Sequence, residues 1–151
     1  MEDERLIESG QPTLAATRAW IALMRAQQRV LSHIEKDFKA AGLPPLGWYD
    51  VLWELVKAET GRLRPFEIEA RTLLAQYNLS RLIDRLEKEK LVRREAFDED
   101  GRGRWVAITE AGRAMRSRMW QTYSGSIERH VGAKLSEAEA SDLADLLSRL
   151  T

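Results

Sequence analysis

Apolar positions along the chain first become periodic after Thr13. Ile21, Met24, Leu31, Ile34 and Phe38 mark one stripe of a helix that starts at a Thr13 cap and runs to about Ala41. That stripe is too long for a small monomer to bury by itself. Gly42-Leu43-Pro44-Pro45 breaks the pattern. A second helix is expected from about Trp48 to Ala58, with Val51, Leu52, Leu55 and Val56 inward, ending at Thr60-Gly61. Arg62-Leu63-Arg64 is short and fits a strand. Pro65 suits a first helical turn, so Pro65 to Arg71 reads as a short helix. The turn Thr72 to Ala75 then leads into AQYNLSRLIDRLEKEKLV. There Leu79, Leu82, Ile83 and Leu86 recur at helical spacing, and Tyr77, Ser80, Arg81, Asp84, Arg85 and Lys88 fall on the opposite face. Ala75 has no capping oxygen, which leaves Gln76 or Thr72 to serve that end. The pair of helices makes a helix-turn-helix.

After Leu91 and Val92 a strand-like run ends at Phe97, the turn Asp98 to Gly103 follows, and a second strand covers Trp105 to Ile108. Arg102 and Arg104 stand at or beside the tip of this hairpin. A polar-faced helix followed directly by a basic hairpin is a winged helix, and Arg62-Leu63-Arg64 is placed to add a third strand. Thr109 caps a long helix to about Lys134, with Met115, Met119, Tyr123, Ile127 and Val131 at about one-turn spacing. Ser136 with Glu139 forms a capping box for a last helix, whose Leu143, Leu146, Leu147 and Leu150 make a narrow seam.

Charge adds little. The chain has 24 basic and 24 acidic residues, and residues 60–104, with eleven basic and nine acidic, are the only positive third. Where the arginines stand matters more than their sum. With no cysteine, disulfides, thiol-based sensing and thiolate metal sites are excluded. His33 and His130 are the only histidines, and their spacing with Glu35, Asp37 and Glu128 matches no structural zinc site. No metal and no cofactor is expected. There is no glycine-rich phosphate loop, nucleophile motif or paired His/carboxylate arrangement, so the chain does not read as an enzyme. Residues 1–12 are acidic rather than signal-like and no run of 18 apolar residues occurs, which points to a soluble, cytoplasmic protein.

The stretch from Ala75 to Gly112 resembles the DNA-binding core of the MarR (multiple antibiotic resistance regulator) family of bacterial transcription factors. The matching positions are Asn78, Leu79 and Arg81, then Leu86 and Glu87, then Leu91 and Val92. They resume with Asp100 and Arg102 in the wing and close with Thr109 and Gly112. Lys90 departs from the pattern, standing where the family has a glycine as a left-handed helix stop. A lysine in that conformation costs about 1 kcal/mol.

The resulting expectation is a mainly α fold with a small β-hairpin wing, a winged helix-turn-helix core flanked by N- and C-terminal dimerisation helices. Residues 1–12 form a flexible N-terminus, 13–41 the first dimerisation helix, 46–109 the DNA-binding domain and 110–151 the C-terminal dimerisation helices. Both chain ends carry more apolar face than their neighbours can cover, which implies an intertwined homodimer. The resemblance implies the same, with two recognition helices on a palindromic double-stranded DNA operator. It also implies DNA contacts from Gln76, Tyr77, Asn78, Ser80, Arg81, Asp84 and Arg85 on the helix, and from Asp100, Arg102 and Arg104 in the wing. Taken alone, Arg81 and Arg85 also fit a solvated face paired with Asp84 and Glu89. The hairpin in register favours the DNA groove. In the wing, Asp100 or Asp98 is expected to brace one arginine and leave another for the minor groove.

The resemblance further implies an effector cavity between dimer helices and winged helix. Trp20, Arg25, Trp48, Tyr49, Trp53 and Trp120 lie on the elements that would line it, with flat apolar walls and a counter-charge for a small aromatic ligand. Core or interface packing is the competing reading for each aromatic. Together these readings describe a repressor released by such a ligand; the alternative is a winged-helix protein-interaction module without its own effector.

Overall fold

In the computed structural model, residues 10–75, 78–96 and 103–151 are described. Helix α1 (Leu14–Ala40) is capped by Thr13, whose hydroxyl accepts from the Ala16 amide. Helix α2 (Leu46–Lys57) follows a proline and starts two residues before the expected Trp48, because Pro45 leaves the next residue free to turn. Strand β1 (Arg62–Leu63) leads into α3 (Pro65–Arg71). The recognition helix α4 (Leu79–Lys88) holds all four periodic apolar positions but starts at Leu79, later than the turn ending at Ala75 suggested. Asn78, not Gln76 or Thr72, caps it, its side chain accepting from the Arg81 amide at 3.1 Å. Strands β2 (Val92–Ala96) and β3 (Arg104–Ile108) form the wing, and β1 adds antiparallel to β3, giving the order β1-β3-β2. Helix α5 (Glu110–His130) stops four residues before the expected Lys134, where Val131 leaves helical geometry and a short 3-10 turn takes over. Helix α6 (Glu137–Ser148) begins with the expected Ser136–Glu139 capping box. No described helix is long and apolar enough to cross a membrane.

One core joins these pieces. Ile34 and Phe38 of α1, Val51, Leu52 and Leu55 of α2, Leu82, Ile83 and Leu86 of α4, Val106 of the wing and Met119 of α5 are all buried together. The N-terminal half of α1 and the whole of α6 stand outside it. Leu14, Trp20, Ile21 and Met24 are exposed, as are Leu143, Leu146 and Leu150, and α6 buries no side chain.

The joint after α4 is tight. Lys90 adopts φ 61°, the left-handed stop expected of it. The Thr109 hydroxyl donates to the Lys90 carbonyl at 2.7 Å and accepts from the Gly112 amide at 3.0 Å. A β-carbon at residue 112 would collide with the Leu91 carbonyl, so the close packing of α5 on this joint requires glycine.

At its other end α5 is pinned to α1 through Asp37. One carboxylate oxygen accepts from Ser126 at 2.5 Å and Arg129 at 2.8 Å, and His130 Nε2 lies 3.0 Å away. These bonds, Ser126 first and then Arg129, hold the carboxyl well below the usual carboxylate range against the opposing effect of burial. His130 also stacks on His33, ring centroids 4.8 Å apart. Among the described residues no group of three or more acidic, histidine or cysteine side chains is placed to hold a metal.

Because folding depresses the Asp37 pKa, its stabilisation is complete above the unfolded value and is lost as pH falls towards the folded one. We expect Asp37→Asn to lower unfolding free energy by about 1–3 kcal/mol at neutral pH, the range for hydrogen bonds to a charged group. The gap to the unmodified chain should narrow as pH drops below about 4. Urea denaturation at several pH values checks this; a gap that does not change with pH would show that the charge is not its source.

Candidate nucleic-acid interface and adjoining cavity

The outer face of α4 is built by helical spacing. Ser80, Arg81, Asp84, Arg85 and Lys88 are all exposed, while Leu82, Ile83 and Leu86 turn into the core. Neither Arg81 nor Arg85 is paired with another described residue. Asp84 is not their partner. It accepts from Arg94 Nη2 at 2.6 Å, and Arg94 Nη1 donates to Glu87 at 2.9 Å. The Arg94 amide donates to the same Glu87 carboxylate at 3.0 Å. Burial disfavours the Arg94 charge, but the bonds to Asp84 and Glu87 outweigh it and raise the pKa. Arg94 thus fastens the wing to the flank of the recognition helix, while Asp84 itself stays largely exposed.

The wing's outer face carries Arg62, Arg93 and Glu95. Arg62 and Arg93 both donate to Glu95, at 3.2 and 2.8 Å, which holds that carboxyl below its usual value. Arg62 and Arg64 each lie against the Trp105 ring, 4.7 and 4.9 Å from its centroid. Arg104, exposed at the start of β3, is next to the tip. Gln76, Tyr77, Asp100 and Arg102 lie outside the described residues, as do Asp98 and the expected brace within the loop.

Behind α4 a cavity of about 380 Å³ opens between α1, α2, α5 and the turn of the helix-turn-helix. Tyr49, Trp53, Trp120 and Tyr123 wall it. Tyr49 meets Tyr123 edge-on at 4.9 Å and lies nearly parallel to Trp120 at 6.1 Å. Burial pushes the Tyr49 and Tyr123 phenols above their ordinary values. Trp20, Arg25 and Trp48, expected here, do not line it; Gln27, two residues beyond Arg25 on α1, does. The cation nearest the aromatic wall is Arg116, stacked 5.1 Å from the Trp53 ring centroid. Asp50 is both a lining residue and a structural one. Its buried carboxylate accepts from the Leu73 and Leu74 amides, at 3.1 and 2.8 Å, and so caps the turn that leads to α4.

The sequence model of the MarR family matches residues 41–103, which span α2, the helix-turn-helix and the first part of the wing. The regulator MhqR of Bacillus subtilis is 27% identical over 138 residues, covering 91% of this chain and 92% of that protein. The structure of AbsC, a MarR family regulator of Streptomyces coelicolor, superposes with a TM-score of 0.79 at 27% identity, over 91% of this chain and 93% of AbsC. Residues 41–103 thus carry the MarR family sequence pattern, and 91% of the chain shares the fold of a MarR family regulator. Sco3205, a family member from the same Streptomyces solved in complex with DNA, shares the MarR fold at a TM-score of 0.81 and 22% identity, over 91% of this chain and 90% of that one.

The site residue that sequence reasoning missed is Arg94; Tyr123 and Asp50, which lie on the elements expected to line the cavity, do line it. A signal for Arg94 existed: Asp84 and Glu87 three residues apart on one helix flank, followed at close range by an arginine in the next strand. The capping role of Asp50 had none, since an acid inside an apolar helix does not say which amides it will meet. Replacing Arg94 by alanine leaves two carboxylates without their partner beside the DNA face. We expect at least a tenfold loss of affinity for any specific duplex, with loss of thermal stability as well, measured by fluorescence anisotropy and melting. Retained affinity would show that the wing holds its angle without the brace.

Proposed function

We propose that this protein acts as a homodimeric repressor that binds a palindromic operator and releases it when a small aromatic ligand enters the cavity behind α4. The observation that carries the DNA reading is the free outer face of α4. Arg81 and Arg85 stand on it without a partner among the described residues, beside a wing fastened by Arg94. Planar guanidiniums on a rigid helix suit guanine edges in a major groove, and a braced hairpin suits the adjoining minor groove.

The dimer follows from what the monomer leaves uncovered. Leu14, Trp20, Ile21 and Met24 on α1, Leu143 and Leu146 on α6 and Leu150 just beyond it are exposed at the two chain ends. Pairing these faces between two copies would place two recognition helices on successive turns of DNA. Trp20, with about three-fifths of its surface exposed, then belongs to the interface rather than the cavity.

Asp50 supports a route from ligand to DNA. It lines the cavity while holding the Leu73 and Leu74 amides, so a ligand that attracts or displaces its carboxylate acts on the turn that positions α4. A few kcal/mol of preference for a spacing that misses the operator is enough to release it. Flat carboxylates and phenols fit the Tyr49, Trp53, Trp120 and Tyr123 walls.

Selecting bound duplexes from a random DNA pool tests the central reading, which requires a palindrome with half-sites about one helical turn apart. Arg81→Ala should then weaken binding to that duplex by about 1–3 kcal/mol and relax preference at one position per half-site. Equal loss on all sequences would make Arg81 a phosphate contact, and recovery of no motif would favour a protein-interaction module. For the ligand, tryptophan fluorescence and DNA release are followed together across a panel of aromatic acids and phenols. Silence in both would leave a regulator without its own effector.

A further inference from the structure

The outer face of the wing sheet holds a second group of cations. The strand register sets Arg62, Ala107 and Arg93 in one row across β1, β3 and β2. Ala107 is short, so the two flanking arginines border a gap. Glu95, two residues along β2 on the same face, accepts one N–H from each of them and fixes their planes. A guanidinium has five N–H donors, so each keeps others for a ligand.

A third arginine comes from α5. The Arg113 guanidinium lies over Gly61, 2.8 Å from where a β-carbon would stand, and Gly61 adopts φ +70°. Glycine at this position both makes the turn and lets the cation approach. No hydrogen bond or ion pair to another described residue holds the Arg113 side chain. With Thr60, Thr109 and Glu110 these groups border a half-open cavity of about 390 Å³, within the size range of small-molecule sites. It shares no lining residue with the aromatic cavity.

We propose that this cavity is a second ligand site, which takes a small phosphate-bearing metabolite with its phosphoryl group between Arg62, Arg93 and Arg113. Three forked donors approaching from two strands and a helix match the several oxygens of a tetrahedral anion better than the two of a flat carboxylate. Glu95 does not bar the anion, because two guanidiniums already offset it. A backbone phosphate of DNA offers the same chemistry, and the test separates the two sources.

The full-length protein is titrated with inorganic phosphate and with pyrophosphate at constant ionic strength set by sodium chloride. Arginine side-chain NMR signals are followed. The expected result is a saturable shift at Arg62, Arg93 and Arg113, stronger for pyrophosphate. Arg113→Gln, at an exposed position with no partner among the described residues, should weaken the apparent affinity at least fivefold without changing the circular dichroism. Arg18→Gln, on α1, should leave it unchanged. A response that never saturates, or one that is the same in Arg113→Gln as in the unmodified chain, overturns the proposal. So does a fall in DNA affinity and in its salt slope for Arg113→Gln measured without phosphate, which would assign these arginines to the DNA backbone.

Discussion

The Leu91 carbonyl packs against the bare α-carbon of Gly112, and the placement of everything that reads DNA depends on this approach. It sets how near the long helix α5 comes to the end of α4. The Thr109 amide donates to the same carbonyl at 3.1 Å while its hydroxyl ties Lys90 and Gly112 together. The last turn of the recognition helix, the first residue of the wing and the first turn of α5 therefore behave as one joint. Lys90 reaches the required left-handed backbone without glycine, at a conformational cost of about 1 kcal/mol that the surrounding hydrogen bonds offset.

On that joint, β2 is held by its ladder to β3 and by charge. Of Val92–Ala96 only Val92 is buried, so apolar packing does little for the strand. Arg94 turns inward to Asp84 and Glu87, and its neighbours Arg93 and Glu95 turn outward to each other and to Arg62. Successive residues of one strand thus serve opposite faces. The inner network sets the angle between wing and recognition helix; the outer one holds the sheet's third strand. On the far side of α4, the carboxylate of Asp50 performs a comparable task for the preceding turn through two amides. The recognition helix is located by ion pairs on one side and a capped turn on the other.

Much of this was legible in the sequence because apolar period and caps act locally. Thr13, Thr109 and Ser136 cap the helices expected of them, and the core positions of α2 and α4 are buried except Val56 and Leu79, which are half-buried. The start of α4 was harder, since the apolar repeat begins only at Leu79 and the polar residues before it offer several capping side chains. Asn78 accepts the third amide of the helix, and that bond decides the boundary. Cavity membership was harder still. Periodicity tells which face of α1 is apolar but not how far along it the other helices reach. Gln27, Val30, Leu31 and Ile34 sit where α5 crosses, whereas Trp20 and Arg25 lie in the exposed half. Asp84 was assigned to DNA from its place on the outer face, and only the strand that folds back beside it reveals the arginine it meets.

The bareness of α6 has a consequence in concentration. A helix of this length is marginal in water when nothing packs on it, and here no side chain of the chain's own core does. Its order, and that of the exposed half of α1, must then draw on association. In the dimer proposed above, folding of the two chain ends and pairing of the two copies become a single equilibrium governed by mass action, so melting temperature would rise with protein concentration. Synthesis and dilution would therefore act on the regulator twice, once on how many molecules there are and once on how many of them are whole.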